Sequence, residues 1–238
     1  NFTHFDHLSI INTNFMLGNF ENVQSFLSFA PSTETMQTKI LFKARDLMLQ
    51  SGLRQVTMDD LAHQLGISKK TIYQYYKDKD DLVKAVVNLE LKDHELICKD
   101  CKSKAENAIH EMFLLMENMK AMTQTMNPNS MMELEKHFSS SFDMIKNHKD
   151  EFLFSLIKQN LMKGIEEGCY RKDLDIDIIS KFRLETVFIP FNLHLFPLNK
   201  FNSIEVHTQL MEHFVYGLMT VKGHELMNQY KKLSNQAI

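Results

Sequence analysis

The sequence predicts an all-α protein, and three observations support that prediction. The chain has 238 residues but only 7 Gly and 4 Pro, well below the roughly 12% that these two residues contribute on average. Apolar residues recur at helical spacing through most of the chain after Met36. Strand-like alternation does not persist for more than a few residues. The shortage of glycine-rich loops and turns disfavours nucleotide-binding α/β folds and β-sandwiches.

Residues 1–35 are interpreted as an N-terminal extension. They are rich in Asn, Phe, Ser and Thr, show no sustained helical period, and contain acidic residues but no Lys or Arg. The net charge of −3 therefore belongs to this segment, and the rest of the chain is neutral. One interpretation places the natural translation start at Met36, downstream of the extension.

The first two helices are predicted from apolar faces bounded by capping residues. Apolar residues from Ile40 to Leu49 share one side of the first helix, and Gly52 stands where that helix is expected to end. Thr57 followed by Asp60 is a capping-box pattern that begins a short second helix. Gly66 is expected to end the second helix.

The later helices follow from the same reasoning. Ser68 is placed to cap a third helix over 69–76, and Asp78 to cap a longer fourth helix. Further helices are predicted over 108–122, 130–148, 151–166, 177–195 and 204–230. Pro190 is expected to kink or break the helix that contains it, because proline lacks the backbone N–H.

The stretch from Thr57 to Leu82 has the pattern of a helix-turn-helix. Ala62 is small where the two helices would approach, Gly66 permits a positive φ in the turn, and Ile72 fills the joint between them. Between Gly66 and Lys79, four lysines and three tyrosines accompany a single aspartate. Such a basic, aromatic surface suits the phosphates and base edges of double-stranded DNA.

Three stretches carry a resemblance to a known family: Ala44–Gly52, Thr57–Ala62 and the run GISKKTIYQYYKDKDDL from Gly66 to Leu82. They resemble the DNA-binding domain of the TetR (tetracycline-repressor-type) family of transcriptional regulators. The resemblance covers residues 38–83, about a fifth of the chain. It implies a three-helix DNA-binding domain with a helix-turn-helix over 36–83. A larger helical domain for ligand binding and dimerisation would follow over 84–238.

The resemblance also implies which side chains meet DNA. Recognition-helix positions that face bases or flanking phosphates are Lys69, Lys70, Thr71, Tyr73 and Gln74, and positions that hold the DNA backbone are Tyr75 and Lys79. Thr57, at the start of the second helix, is a further candidate for a phosphate contact. Tyr76 occupies an aromatic packing position and is expected in the core.

The implied function is that of a homodimeric regulator, a ligand-responsive repressor that binds a palindromic operator. A dimer is expected because one helix-turn-helix covers too few base pairs. The predicted helices 177–195 and 204–221 are the candidates for the dimer pair. The alternative is a helical enzyme or a protein-interaction module that retains the helix-turn-helix as a scaffold. Catalysis is not expected, because no Ser-His-Asp arrangement, nucleophile elbow or Glu-x-x-His pair is evident.

A small-molecule effector of unknown identity is expected among the fourth to eighth helices, with no other cofactor. The 16 Met of the chain suit an adaptable pocket. Candidate lining residues are the Met and Phe side chains of the predicted C-terminal helices: Met112, Phe113, Met116, Phe138, Phe142, Phe154, Phe188 and Phe191.

The cysteines and apolar runs bear on metal binding and location. His94, Cys98 and Cys101 share one helix face at a spacing seen in metal or redox sites, but no fourth ligand is evident and no metal is expected. Three cysteines are too few, and odd in number, for a disulfide framework, so a reduced cytoplasmic location is expected. The uncharged run 186–199 is shorter than the ~20 apolar residues of a membrane span, and no membrane partner is expected.

Overall fold

A computed structural model describes residues 35–236 and confirms the all-α prediction; the predicted extension lies outside the described residues except for Thr35. The helices are α1 Met36–Ser51, α2 Met58–Leu65, α3 Lys69–Tyr73, α4 Lys79–Lys104, α5 Ala108–Thr125, α6 Ser130–His137, α7 Ser139–His148, α8 Phe154–Glu166, α9 Ile176–Thr186, α10 Ser203–Leu218 and α11 Val221–Gln236. A π-helical segment, Lys149–Leu153, joins α7 to α8. None of the helices in the described part of the chain combines the length and the apolar character needed to cross a membrane.

Two long predicted helices are divided in the structure, and the prediction of continuous helices was wrong there. The predicted helix 130–148 is interrupted at Phe138, whose backbone leaves helical geometry at φ −134° and ψ 55°. The predicted helix 204–230 is interrupted at Met219, which is extended and pairs with Tyr170 in an isolated antiparallel bridge. Phe138 has no Gly or Pro near it, whereas Gly217 precedes Met219 by two residues and was a local signal for the second break.

The predicted helix 177–195 ends early. Helix α9 stops at Thr186, and a short 3₁₀ turn, Ile189–Phe191, holds Pro190. The expectation that Pro190 would break the helix is confirmed, since its missing N–H cannot continue the α-helical hydrogen bonds. The chain then runs without regular helix to Asn202, whose side chain accepts hydrogen bonds from the first turn of α10.

The apolar side chains form two hydrophobic cores. The first unites α1 to α4 with Leu134 and Phe138 from α6 and its C-terminal boundary. The second joins α5, α8, α10 and α11 around Tyr170. Helix α4 runs through the predicted domain boundary at 83/84, and Arg45 of α1 forms ion pairs with Glu90 and Asp93 of α4. The head, residues 36–83, is therefore tied to the remaining helices, called the body below.

The second core contains a buried polar pair whose main donors are satisfied. Tyr170 is fully buried, and its hydroxyl donates to Asn160 Oδ1 at 2.9 Å. The Asn160 side-chain amide donates to the carbonyl of Ala108 at 3.1 Å. The ring of Tyr170 lies directly against Gly164, where an added Cβ would come within 2.1 Å of a ring carbon. The close approach of this ring therefore requires glycine at position 164.

Gly164→Ala is expected to destabilise the fold by about 2 kcal/mol, because the new methyl group overlaps the fully buried Tyr170 ring. Gly217→Ala, in α10, is the matched control, since a Cβ there meets no atom within 4 Å. The control is expected to raise stability by about 0.5 kcal/mol through helix propensity. Urea denaturation of the two variants measures both changes, and equal stability of the two proteins would contradict the packing described.

Candidate nucleic-acid interface

The capping residues predicted from the sequence set the geometry of the helix-turn-helix. Thr57 Oγ1 accepts from the Asp60 backbone N–H at 3.1 Å, and Asp60 Oδ2 accepts from the Thr57 backbone N–H at 2.9 Å. Ser68 caps α3 by accepting from the Thr71 N–H at 3.1 Å. These bonds satisfy backbone donors that a helix start leaves unpaired. The predicted starts of α2 and α3 are confirmed, whereas α3 ends at Tyr73 rather than at 76.

The turn between α2 and α3 depends on one backbone conformation. Gly66 adopts φ 65° and ψ 30°, which favours glycine. The N–H of Ile67 then donates back to the carbonyl of Ala62 at 3.1 Å. Ala62 and Ile72 are both buried between the helices, as predicted for a close crossing filled by one aliphatic side chain. The turn therefore fixes the angle between α2 and α3.

Most residues predicted to contact DNA share the exposed surface of α3 and the turn after it. Tyr73 and Tyr75 are 44% and 40% exposed, large values for aromatic side chains. The exposed polar members of this surface are Lys69, Lys70 and Gln74. Thr71 is half-buried, and its hydroxyl lies 2.8 Å from Ser68 Oγ. The structure thus brings the predicted recognition residues together, while their contacts with DNA remain predictions.

The two lysines that begin α3 differ in their surroundings. Lys69 Nζ lies 2.8 Å from Asp59 Oδ2, and that hydrogen bond raises the pKa of the lysine. Lys70 has no ion-pair partner among residues 35–236. The Lys69 ammonium must exchange a carboxylate for a phosphate on binding DNA, whereas Lys70 does not. Of the two, Lys70 is therefore the lysine whose predicted contact with a phosphate or base requires no ion pair to be broken.

Lys79 occupies the joint between the head and the body. Its ammonium donates to the carbonyl of Arg54 at 2.8 Å and lies 5.8 Å from the centre of the Phe138 ring. Burial lowers the pKa of this lysine. The position at the start of α4 is the predicted one, but in the free chain the side chain stabilises the loop before α2. Its contact with the DNA backbone stays a prediction.

The sequence-based prediction did not include Arg54 among the residues near the interface, but it placed Tyr76 correctly in the core. Arg54 is exposed in the loop between α1 and α2, next to the capping residues of α2, and its carbonyl receives Lys79. A basic residue just before a helix-turn-helix was the available signal. Tyr76 is buried, and its hydroxyl donates to the carbonyl of Gln37 at 3.3 Å, so its predicted place in the core is confirmed.

The sequence of the head matches a known family. The profile described as "Bacterial regulatory proteins, tetR family" matches residues 40–86. The uncharacterized HTH-type transcriptional regulator YvaF of Bacillus subtilis is 30% identical over 130 residues, which are 54% of this chain and 68% of that protein. The chain belongs to the TetR family. It is a DNA-binding transcriptional regulator, and the resemblance found in the sequence is confirmed.

Similarity to TetR-type regulators extends beyond the head. The HTH-type transcriptional repressor KstR2 of Mycobacterium tuberculosis is 22% identical over 185 residues, 67% of this chain and 82% of that protein. Its solved structure matches with a TM-score of 0.52 at 20% identity, over 80% of this chain and 98% of the other. The regulator FadR of Bacillus subtilis, solved with stearoyl-CoA, matches with a TM-score of 0.54 at 19% identity, over 77% and 98%. The body therefore shares the helical fold of these proteins.

The eight predicted effector contacts do not form one pocket in the structure. Met112, Phe113 and Met116 belong to the second core, while Phe138 and Phe142 pack in or against the first. Phe154 and Phe188 are half-buried elsewhere in the body. Of the eight, Phe191 lines the large cleft described below and Met116 lines a narrow recess beside it. A pool chosen by residue type could not separate core from cleft, because both favour the same apolar side chains.

The predicted cluster of His94, Cys98 and Cys101 is buried in α4. His94 Nδ1 lies 3.1 Å from Nε2 of His148, and Cys98 Sγ lies 3.6 Å from His94 Nε2. Burial raises the pKa of Cys98 to about 12 and that of Cys101 to about 11, so both are protonated thiols at neutral pH. Within residues 35–236, no three His, Cys, Asp or Glu side chains are arranged to hold a metal ion.

Lys70→Ala is expected to weaken operator binding and to reduce the slope of log affinity against log salt by about 1, because one phosphate-compensating charge is lost. Lys172→Ala is the matched control, since Lys172 is an exposed lysine in the turn before α9, distant in sequence from α3. Fluorescence anisotropy over a salt series, with DNA selected from random sequences by the full chain, gives both slopes. Identical slopes for Lys70→Ala and the unmodified chain would remove Lys70 from the interface.

Proposed function

We propose that the chain is a homodimeric, ligand-responsive repressor that acts on a palindromic operator in the cytoplasm. The observation that carries the proposal is a direct contact between the wall of a ligand-sized cleft in the body and the head that reads DNA. Its support comes from this contact, from an exposed apolar surface on α9, and from the regulators to which the chain is similar. Since those relatives are named as regulators, we propose a regulatory rather than an enzymatic role.

The cleft lies where the C-terminal end of α5 meets the chain between α9 and α10. Its volume is about 580 Å³, within the range of sites that hold small organic ligands. The walls are mixed apolar and polar. They are formed by Thr123, Gln124, Met126, Pro128, Pro190, Phe191, Leu193, the segment 198–202, Ser203 and Ile204. Pro190 and Phe191, in the 3₁₀ turn that follows the end of α9, form part of the cleft wall.

The loop between α5 and α6 connects the cleft to the head. Met126 and Pro128 line the cleft, and the residue between them, Asn127, donates its backbone N–H to the carbonyl of Leu49 at 3.0 Å. Leu49 belongs to the last turn of α1. A ligand that displaces this loop therefore acts on α1 without crossing any intervening element.

A second bond holds the same region to the DNA-binding side of the head. Glu133, in the first turn of α6, accepts from the Arg54 backbone N–H at 3.1 Å. Arg54 in turn receives Lys79 on its carbonyl. Effector binding would favour a position of this loop in which the two recognition helices no longer match their half-sites.

Dimerisation is supported by the exposed face of α9. Ile178 and Phe182 lie one helical turn apart and are 64% and 56% exposed. The Phe182 ring lies 6.4 Å from that of Phe214 on α10, so the two predicted dimer helices share this surface. Two copies joined there would present two recognition helices, as two half-sites about 34–36 Å apart require.

The names of similar proteins support the remaining parts of the proposal. KstR2 is named as a repressor, and FadR was solved with stearoyl-CoA bound. Those ligands and targets belong to those proteins. For this chain they support repression and a response to a small molecule, without indicating which molecule.

Phe182→Asp is expected to give monomers, because a carboxylate would be desolvated in the proposed interface. Loss of the dimer should also abolish selective operator binding. Leu96→Asp, at a comparably exposed leucine of α4, is the control and should remain dimeric. Sedimentation velocity measures assembly, and selection from random DNA should yield a palindrome. A dimeric Phe182→Asp protein, or selected DNA with a single unpaired half-site, would refute the proposed assembly.

Glu133→Ala is expected to raise hydrogen exchange at the Arg54 amide about fivefold, since a bond worth about 1 kcal/mol is lost. Operator affinity should fall in the same variant because the head is held less firmly. Glu135→Ala, at an exposed glutamate of the same helix, should change neither. Exchange measured by mass spectrometry tests the contact. Unchanged protection in Glu133→Ala would show that α6 does not hold the head.

A further inference from the structure

The body contains a cation without a matching anion. The guanidinium of Arg183, on α9, extends to α10, where Nη2 lies 3.0 Å from Sδ of Met211 and Cζ lies 5.2 Å from the centre of the Phe214 ring. None of the carboxylates in residues 35–236 forms an ion pair with it. Desolvation lowers its pKa to about 10, so Arg183 is still charged at neutral pH. Arg183 is half-buried, and partly removing a charge from water with only a thioether and an aromatic face as partners is unfavourable.

A buried group without a hydrogen-bond partner lies on α10, the helix that Arg183 contacts. His207, on α10, is only 7% exposed, and its Nε2 has no hydrogen-bond partner in the described structure. Burial lowers the pKa of His207 to about 4, and the positive charge of Arg183 contributes to the same shift. A buried polar atom that lacks a partner calls for an explanation. Arg183, which lacks an ion pair within residues 35–236, contacts Met211 at 3.0 Å, and Met211 lines the same recess as His207, whose Nε2 lacks a hydrogen-bond partner.

His207 lines a recess at the inner end of a groove that begins at the cleft, and Arg183 contacts Met211 in the wall of that recess. The cleft is lined by Thr123 of α5 and by Ser203 and Ile204 of α10. One turn further along the same helices, Met119 and His207 line a narrow recess, together with Met116, Lys120, Thr208 and Met211. The rings of Phe191 and His207 are 4.6 Å apart and connect the cleft wall to the recess. Cleft and recess are therefore successive parts of one groove between α5 and α10.

The recess is closed by side chains that can move. Its free volume is about 10 Å³, room for about one water molecule. Three of its six lining residues are methionines, whose unbranched chains change rotamer readily. Lys120 is already paired with Glu117 at 2.6 Å, so the buried polar atom without a partner among the residues that line the recess is His207 Nε2. Rotation of the methionines would open a path from the cleft to His207 and, past Met211, to Arg183.

We propose that this groove binds an amphipathic organic anion, with its negatively charged group between Arg183 and His207 and its apolar body along the methionines toward the cleft. The proposal rests on the ligand response proposed above and names the chemical class of the effector. A carboxylate or phosphate group would accept hydrogen bonds from the guanidinium, from the one ring N–H of neutral His207 and from the Thr208 hydroxyl. An apolar chain would contact the Met and Phe side chains of the groove.

The test uses the full chain without DNA and two series of probes. The anionic series is hexanoate, decanoate, hexadecanoate and decyl phosphate, and the matched series is decanol and decyltrimethylammonium. Isothermal titration calorimetry measures affinity, and thermal unfolding measures the stabilisation that specific binding produces. At least one anion is expected to bind about tenfold or more tightly than decanol, and the cation should not bind. Comparison of decanoate with decyl phosphate shows which head group the site prefers.

The variant Arg183→Met tests whether Arg183 causes the preference for anions over decanol. Methionine keeps the length and apolar contacts of the side chain but removes the charge, so the variant is expected to fold at least as stably as the unmodified chain. Anion affinity should fall about tenfold or more while decanol affinity is unchanged. Arg171→Met is the control, because Arg171 is exposed and paired with Asp173 at 3.2 Å, and it should retain anion binding.

Three results would overturn the proposal: no probe binds, anions and decanol bind equally, or Arg183→Met keeps the full preference for anions. Loss of the dimer in Arg183→Met with anion binding intact would assign the arginine to the subunit interface instead. Binding of the selected operator by the same protein is measured separately. Operator binding without anion binding would leave the regulator standing and remove only the inference about the effector. Anion binding without selective DNA binding would do the reverse.

Discussion

The position of the DNA-reading helix depends on the contact between the head and α6 with the loop before it. The α5–α6 loop bonds to the last turn of α1, Glu133 bonds to the loop before α2, and Phe138 lies in the core of the head. Because α4 crosses from head to body without a break, these contacts decide the angle between the two. Small shifts in a packed contact of this kind become changes of orientation, since packed cores do not deform continuously.

In the described part of the body, some buried polar groups are hydrogen-bonded to one another, and others lack a partner. Tyr170, Asn160 and the Ala108 carbonyl satisfy one another in a core that is closed by the contact with Gly164. His207 Nε2 has no partner in the recess next to the open cleft, and Arg183, which contacts Met211 in the wall of that recess, has no ion pair among residues 35–236. The first arrangement stabilises the fold, whereas the second costs stability in the free protein. An unsatisfied group at the end of an open groove is the arrangement expected where a ligand supplies the missing partner.

The head could be predicted from the sequence because its determinants are local. Caps at Thr57 and Ser68, the positive φ at Gly66 and the buried Ile72 each act within a few residues of where they stand. The body was predicted less well for the opposite reason. At the helix breaks, Phe138 packs into the first core and Met219 pairs with Tyr170, contacts with distant elements that the residues at the breaks do not indicate. Apolar periodicity continues across both positions.

The sequence by itself determined the helical class, the helix-turn-helix and its exposed basic face, because propensity, capping and turn geometry are properties of short segments. Only the tertiary structure decided that Lys79 bonds to the loop before α2, that most of the predicted Met and Phe pocket is core, and that Arg183 contacts Met211. Each of these depends on which faces of distant helices come together. That pairing is set by the sum of many contacts between segments, which a pattern read along one chain does not contain.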